Sequence, residues 1–99
     1  MAELLVHEAV DAALSGRATG WRREGDALVL DVDRGDFAGA LAFVDAVGAR
    51  AEVANHHPDV DIRWSRVTLR LSTHSAGGLT QKDLDLAREV DVLLEQGNE

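Results

Sequence analysis

Apolar residues recur along this chain at two spacings, which predict three helices and four short strands. Apolar positions three and four residues apart are typical of a helix with one buried side. The predicted helices cover residues from about 4 to 14, from Asp36 to about Asn55, and from Thr80 to about Glu95. The buried side of the second helix is predicted to contain Phe37, Ala40, Leu41, Val44, Val47, Gly48 and Ala51. The buried side of the third is predicted to contain Leu84, Ala87, Val90, Leu93 and Leu94.

The other apolar residues alternate with polar ones, as in half-buried strands. Residues 21–23 and 27–32 flank Glu24-Gly25-Asp26, which predicts a hairpin with a glycine-containing turn. Residues 60–64 and 67–73 predict a second hairpin, joined at Ser65-Arg66. Because the strands of a hairpin are antiparallel, the order α-β-β-α-β-β-α predicts an α+β fold. Its predicted form is a four-stranded antiparallel sheet with three helices packed on one face.

Composition narrows the class of protein. The 99 residues fit a single domain, predicted to cover positions 1–99, and 45% of them are hydrophobic. The chain has no cysteine, which excludes disulfides and thiolate chemistry, and no apolar run approaches the roughly 20 residues that span a membrane. A net charge of −8 argues against nucleic-acid and anionic-lipid partners. The N-terminus does not resemble a signal peptide, so we expect a cytoplasmic protein.

Three of the four histidines, His56, His57 and His74, fall within nineteen residues. Histidine exchanges protons near neutral pH, because its unperturbed pKa is about 6.5, and it is also a common metal ligand. Adjacent histidines bring two ligands to one metal less easily than histidines spaced along a helix or strand. The pattern therefore favours proton transfer over the alternative, a zinc site formed by His56, His57 and His74 with Glu52.

The surroundings of these histidines suggest how they are arranged. Glu52 lies four residues before His56, which predicts that its carboxylate holds the His56 ring; the alternative is a solvated surface pair. At a helix end stopped by Pro58, His56 and His57 can splay and approach one ligand from different sides. His74 follows the last aliphatic residue of its strand, a common place for a site. Otherwise these histidines are simply exposed at loop edges.

Two further residues have structural interpretations that compete with a role in a site. Asp83 is the third residue of its helix after Thr80, which predicts a capping box. Trp64 follows Val60 and Ile62 on the apolar face of its strand, so core packing is favoured over a place in a pocket wall.

The spacing of these residues resembles the signature of the pterin-4a-carbinolamine dehydratases, and the resemblance extends over nearly the whole chain. The matching pattern is Glu52-x3-His56-His57-Pro58-x5-Trp64-x9-His74-x8-Asp83. The resemblance implies dehydration of 4a-hydroxytetrahydropterin to quinonoid dihydropterin and water, as part of pterin cofactor recycling. That reaction needs a general acid at the departing hydroxyl and a general base at a ring N–H, which imidazoles can supply.

The resemblance also implies roles for particular residues. His56 and His74 would be the acid and base, in an order left open, and His57 would orient the pterin. The substrate-binding set implied by the resemblance is Glu52, Asn55, Pro58, Trp64, Ser72, Thr73 and Asp83.

The alternative to an enzyme is a non-catalytic dimerisation or assembly module, since some members of the family serve such roles. The intact set of three histidines favours the enzyme. The resemblance implies a homodimer formed through sheets, or a homotetramer formed additionally through helices. Residues 67–73 contain neither proline nor lysine, so this strand would pair with a second copy if it lies at a sheet edge.

Overall fold

The predicted order of elements is confirmed. The computed structural model describes residues 3–16 and 19–96; the remaining positions of the predicted domain lie outside this description. The elements are α1 (His7–Ser15), β1 (Arg22–Glu24), β2 (Ala27–Asp33), α2 (Phe37–Ala54), β3 (Asp59–Arg63), β4 (Arg66–Leu71) and α3 (Gln81–Gln96). None of the described helices combines the length and apolarity that crossing a membrane requires.

The four strands form one antiparallel sheet in the order β1-β2-β4-β3. Strand β4 lies inside it, because Leu69 pairs with Leu30 of β2 on one side and with Val60 of β3 on the other. The prediction that residues 67–73 could be an edge that pairs with a second copy is therefore wrong. Both sides of its backbone are already occupied, and the edges of the sheet are β1 and β3.

The hydrophobic core lies between the sheet and the helices, and most of the buried residues from the sheet belong to β2 and β4. Its fully buried leucines include Leu28, Leu30, Leu69 and Leu71. From α2 the buried residues are Ala40, Phe43, Val47 and Ala51, and from α3 they are Leu86, Ala87 and Val90 together with Asp83. The predicted buried side of α2 is thus partly wrong. Phe37 and Leu41 are half exposed, because the face turned to the sheet follows the three- and four-residue spacing that includes Phe43.

The turn between β3 and β4 also differs from the prediction. Arg63 pairs with Arg66, so the turn consists of Trp64 and Ser65 rather than Ser65 and Arg66. Trp64 has a left-handed backbone, with a φ of 53°, and is 71% exposed. Its predicted place in the core is wrong, because it lies in the turn beyond the end of β3 and not on the inner face of the strand. Ser65 is the buried member of the turn, and its carbonyl accepts a hydrogen bond of 2.8 Å from the N–H of Arg34.

Helix α2 is capped at both ends. At its start the Asp36 carboxylate accepts a hydrogen bond of 2.7 Å from the Gly39 N–H, as predicted for an N-cap. At its end Asn55 is left-handed, with a φ of 51°. The His56 N–H donates to the Ala51 carbonyl over 3.1 Å and the Asn55 N–H to the Glu52 carbonyl over 3.2 Å, which is a Schellman motif. The helix therefore ends before the histidine pair.

Candidate active site

A polar cavity of about 380 Å³ opens where three elements meet: the end of α2, the end of β4 and the start of α3. Its lining consists of Asn55, His56, His57, Ser72, Thr73, His74, Ser75 and Lys82. Six of these residues belong to the predicted site, including all three clustered histidines. The fold thus brings residues 55–57 next to residues 72–75, because β4 returns antiparallel to β3 and ends beside the C-terminus of α2.

His56 is the most enclosed of the three imidazoles. Its side chain is 11% exposed, and its Nε2 lies 2.6 Å from Oδ1 of Asp83, whose side chain is fully buried. The predicted partner, Glu52, does not contact it. The prediction of a Glu52–His56 pair is wrong because Asn55 ends the helix, so His56 no longer occupies the helical position four residues after Glu52.

Asp83 connects this histidine to the rest of the structure. Its Oδ2 accepts hydrogen bonds from the Thr80 N–H, over 2.9 Å, and from the Thr73 hydroxyl, over 2.8 Å. The bond to Thr80 is one half of the predicted capping box. The Thr80 hydroxyl lies 2.8 Å from that of Thr73, whose proton goes to Asp83, so Thr80 is the donor between the two. Asp83 has no exposed surface and is joined to the cavity through His56 and Thr73, so its membership of the substrate-binding set stays a prediction.

This network determines which of the two nitrogens of the His56 ring carries the proton. A carboxylate that accepts from Thr73 and Thr80 offers its remaining oxygen to His56, so Nε2 must carry the proton and donate it. In the neutral ring Nδ1 is then an acceptor, and it is the nitrogen available to a ligand. A ring fixed in this way by a buried carboxylate can take a proton at Nδ1 or return it.

His57 has a different partner and a different environment. Its Nε2 forms a short hydrogen bond with Oε2 of Glu52, and both side chains are largely exposed, at 55% and 77%. The two adjacent histidines therefore splay, as predicted, and each is held by its own carboxylate. His57 keeps Nδ1 for the cavity on the same reasoning, but it holds its position more loosely.

His74 reaches the cavity from a tight loop. A short 3₁₀ turn covers His74–Ala76, and the loop is closed by an isolated bridge in which the Thr73 N–H donates to the Gly78 carbonyl over 2.8 Å. Gly77 is left-handed, with a φ of 78°, which favours glycine there. Within the described part of the chain His74 forms no ion pair with a carboxylate. It is exposed and lines the same cavity as the two anchored histidines.

The remaining predicted residues lie outside the cavity. Glu52 and Pro58 line a second, larger depression of about 550 Å³ between α2 and β3, which also touches His57. We call it the α2–β3 groove, and its lining is Val44, Asp45, Val47, Gly48, Ala49, Ala51, Glu52, His57, Pro58 and Val60. Trp64 follows the end of β3 opposite Pro58, so a single copy of the chain does not bring it to the cavity.

Sequence reasoning missed two lining residues, Ser75 and Lys82. Each directly follows or precedes a residue of the predicted signature, and Lys82 is the chain's only lysine. Its ammonium is the fixed positive charge of a cavity whose other lining groups are imidazoles, hydroxyls and an amide. In the described residues, no three His, Asp or Glu side chains are grouped in a way that would hold a metal ion.

The fold and cavity define an α+β domain with a histidine-lined polar site. The chain belongs to the family described as pterin 4 alpha carbinolamine dehydratase, whose family model matches residues 3–93. A relative from Nocardia farcinica, provisionally named as such a dehydratase, is 52% identical over 91 residues, which cover 92% of this chain and 95% of the relative. A relative from Roseiflexus castenholzii with the same provisional name is 49% identical over 95% of this chain and 100% of its own length.

Solved structures share the fold. A transcriptional coactivator/pterin dehydratase from Brucella melitensis superimposes with a TM-score of 0.84 and 28% identity, covering 91% of this chain and 97% of its own. A pterin dehydratase-like protein identified as a RuBisCO assembly factor in the alpha-carboxysome superimposes with a TM-score of 0.63 and 27% identity, covering 75% of this chain and 88% of its own. The predicted fold and family are thereby confirmed.

Proposed function

We propose that this protein dehydrates 4a-hydroxytetrahydropterin to quinonoid dihydropterin and water. The observation that carries the proposal is the convergence of His56, His57 and His74 on one polar cavity. Membership of the family supports the same reaction. We infer no metal and no cofactor, because the reaction needs only proton transfers and the pterin is itself the substrate.

The two proton transfers balance without a further reactant. The C4a–O bond breaks as a general acid donates a proton to the departing hydroxyl, which leaves as water. A general base takes the proton from a ring N–H, and the electron pair of that bond forms the new C=N bond. An imidazolium and a neutral imidazole therefore exchange roles in each turnover, and each contributes typically ~10²–10⁴-fold.

His56 and His74 are the proposed acid and base, and His57 is proposed to orient the pterin. The two candidates differ in their surroundings: His56 is held by buried Asp83, whereas His74 stands on an exposed loop. The polar lining fits a flat heterocycle with donors and acceptors along its edges. On the side of β4 the Ser72 hydroxyl donates to the Asp26 carbonyl over 2.8 Å, and its oxygen can still accept a hydrogen bond from a ligand; the Asn55 amide lies on the side of α2.

The direct test follows quinonoid dihydropterin formation from synthetic carbinolamine with purified protein. His56→Ala and His74→Ala should each lower the rate at least about tenfold with little change in folding. His7→Ala is the matched control. His7 lies on α1 and is not part of the cavity lining, and its Nε2 lies 2.9 Å from Oδ1 of Asp26. Wild-type rates in both cavity variants would overturn the assignment.

A non-catalytic assembly role is the second candidate, supported by the likeness to the carboxysome assembly factor. The same assay separates the two functions. A folded protein that does not accelerate dehydration above the uncatalysed rate would favour the assembly role.

A further inference from the structure

Half of the side chains that line the polar cavity already have a hydrogen-bond partner in the described chain. Each of these four is held by a carboxylate or a backbone carbonyl, and they are His56, His57, Ser72 and Thr73. The other four have no side-chain partner among residues 3–16 and 19–96, and they are Asn55, His74, Ser75 and Lys82. The proposed reaction gives His74 a role in proton transfer, and the Asn55 amide is available to the pterin on the side of α2. Ser75 and Lys82 then remain without a task.

The ammonium of Lys82 is not neutralised by the protein. Lys82 is the only lysine of the chain, and it is exposed. Within the described residues its side chain forms no ion pair. The two acids nearest in sequence are already engaged: both oxygens of Asp83 accept hydrogen bonds, and Asp85 accepts from the Gln81 amide over 2.9 Å. The lining of the cavity therefore includes a full positive charge without a counter-charge.

The fold itself does not favour a lysine at this position. Lys82 is the second residue of α3, close to the positive end of the helix dipole. A cation in the first turn is unfavourable there, whereas Asp and Glu are favourable. Packing offers no compensation, because the side chain is exposed. A lysine that lines a cavity and adds nothing to stability is better explained by a ligand than by the fold.

The charge of Lys82 limits which part of a substrate it can contact. As the hydroxyl of the carbinolamine leaves as water, the ring becomes positively charged until the base removes the N–H proton. An ammonium beside the ring would oppose that charge, because like charges repel more strongly where water is excluded. Lys82 is therefore suited to a substituent outside the reacting ring, and its strongest hydrogen bonds would be to an anionic one.

We propose that Lys82 and Ser75 bind an anionic group, a carboxylate or a phosphate, on the side chain of the pterin. This inference rests on the proposed function and names the class of carbinolamine that the site prefers. The ammonium supplies three N–H donors and the Ser75 hydroxyl one O–H donor, which match the several lone pairs of an oxyanion. Hydrogen bonds that involve charged groups are about twice as strong as neutral ones. An acidic side chain is thus preferred to a neutral one on the same ring.

Ser75 and Lys82 reach the cavity from two short segments that are tied together. Ser75 lies in the 3₁₀ turn His74–Ala76, and Lys82 lies in the first turn of α3. The residues directly before these segments are joined, because the hydroxyls of Thr73 and Thr80 lie 2.8 Å apart and both are buried. The backbone of both segments is therefore fixed before a ligand arrives. Binding an anion then requires the ordering of only two side chains.

The net charge of the protein opposes such a ligand, which makes the proposal specific. At a net charge of −8 the chain as a whole repels anions. A preference for an acidic pterin must therefore come from charges close to the bound ligand. Among the lining residues, Lys82 alone has a fixed positive charge. Its removal should abolish the preference or reverse it.

Binding of stable pterins tests the proposal without turnover. Isothermal titration calorimetry would compare 6-carboxypterin with 6-methylpterin, which share the ring and differ in the charge of the substituent. At low ionic strength the wild-type protein should bind 6-carboxypterin about five- to tenfold more tightly, as expected for a partly exposed charged hydrogen bond. The phosphate ester of 6-hydroxymethylpterin and its neutral parent form a second matched pair. The pair with the larger ratio identifies the anionic group.

Substitutions separate a local contact from a general effect of charge. Lys82→Gln should reduce the ratio to about one or below, Lys82→Arg should retain most of it, and Ser75→Ala should lower it roughly twofold. Arg88→Gln is the matched control, because it removes the same charge from an exposed position of α3 that lines neither the cavity nor the α2–β3 groove. It should leave the ratio unchanged. Thermal unfolding should show Lys82→Gln to be at least as stable as the wild-type protein, so lost binding would not reflect misfolding.

The results that contradict the inference differ from those that contradict the proposed function. Wild-type protein that binds the neutral pterins and binds neither acidic pterin more tightly would overturn the anion site and leave the dehydration proposal standing. An equal loss of preference in Lys82→Gln and Arg88→Gln would also overturn it. Protein that binds none of the four pterins would refute the proposed function, on which the inference rests.

Steady-state kinetics give a further readout. Lys82→Gln should raise KM for an acidic carbinolamine much more than it lowers kcat, because Lys82 contacts no reacting atom. A fall in kcat with an unchanged KM would instead place Lys82 in the proton transfers and overturn its assignment to the side chain of the substrate.

Discussion

Asp83 Oδ1 lies 2.6 Å from Nε2 of His56, although 27 residues separate them in the chain. The same carboxylate accepts from the Thr80 N–H at the start of α3 and from the Thr73 hydroxyl beyond the end of β4. One buried side chain therefore joins the start of α3 and the residue beyond the end of β4 to an imidazole that lines the cavity. Removing the Asp83 side chain would abolish both the helix cap and the hydrogen bond that orients His56. A substitution that keeps one acceptor oxygen but replaces the other with a donor separates the two roles.

The first prediction is that Asp83→Asn lowers dehydration by about 10²–10⁴-fold while the protein still folds. An amide keeps one acceptor oxygen for the cap but presents N–H donors where a carboxylate oxygen accepted. If the amide nitrogen faces His56, Nε2 must become the acceptor and the proton moves to Nδ1, which is the wrong tautomer for accepting a proton from substrate. The measurement is the pH profile of kcat with circular dichroism of the same samples.

Asp85→Asn is the matched control, because Asp85 lies on the exposed side of the same helix turn, bonded to the Gln81 amide. It should leave the rate and the pH profile unchanged. An Asp83→Asn protein with the wild-type rate and profile would show that the carboxylate only caps α3.

The fold was largely predictable because its signals are local. Alternation along β2 and β4 and the N-cap at Asp36 each depend on a few neighbouring residues. The order of strands was not predictable in this way, because alternation does not say which strand adjoins which, and β4 proved to be interior. The partner of His56 was missed for a similar reason. Glu52 is near in sequence, whereas Asp83 becomes near only after β4 and α3 have packed.

The second prediction concerns metal. Full activity should survive exhaustive chelation, because the proposed reaction consists of proton transfers between imidazoles and substrate. The measurement is the dehydration rate before and after dialysis against a strong chelator, with zinc then added back. Activity that falls on chelation and returns with zinc would replace the acid–base proposal with a metal-dependent one.

The third prediction concerns acid stability. The Thr68 hydroxyl donates to Asp31 across the β2–β4 pair over 2.6 Å, and Arg22 donates over 3.0 Å. These contacts, with Thr68 the larger cause, lower the pKa of Asp31 below its usual value of about 3.9. The stabilisation is therefore fully present above about pH 3.9 and is lost as the pH falls through the lower, folded-state pKa.

Asp31→Asn should therefore lower the free energy of unfolding at pH 7 and reduce its decline below pH 4. Thr68→Val, which removes the larger cause, should act in the same direction. The measurement is urea unfolding from pH 7 to pH 2 at one protein concentration. Parallel curves for wild type and both variants across the acid range would contradict the prediction.

The fourth prediction compares two glycines of α2. A Cβ on Gly48 would meet no atom within 4 Å, so Gly48→Ala should stabilise the protein by about 0.5–1 kcal/mol through helix propensity. A Cβ on Gly39 would lie 2.4 Å from the Arg34 carbonyl oxygen, so Gly39→Ala should destabilise it by about 1–3 kcal/mol. Thermal unfolding of both variants measures the difference, and shifts of the same sign would refute the assigned backbone geometry.

The left-handed backbone of Asn55 makes two chemically distinct sites from one dipeptide. Each further helical residue would turn the next side chain by about 100° and advance it 1.5 Å. Had α2 continued by a residue or two, His56 would have faced Glu52 and the buried carboxylate of α3 would have lacked its imidazole. A single pair of backbone angles thus makes neighbouring, otherwise identical side chains unequal: one is enclosed and rigid, and the other is open and adaptable. The proposed reaction gives these two histidines different tasks, proton transfer for His56 and orientation of the substrate for His57, and the difference in their surroundings is set by where a helix stops.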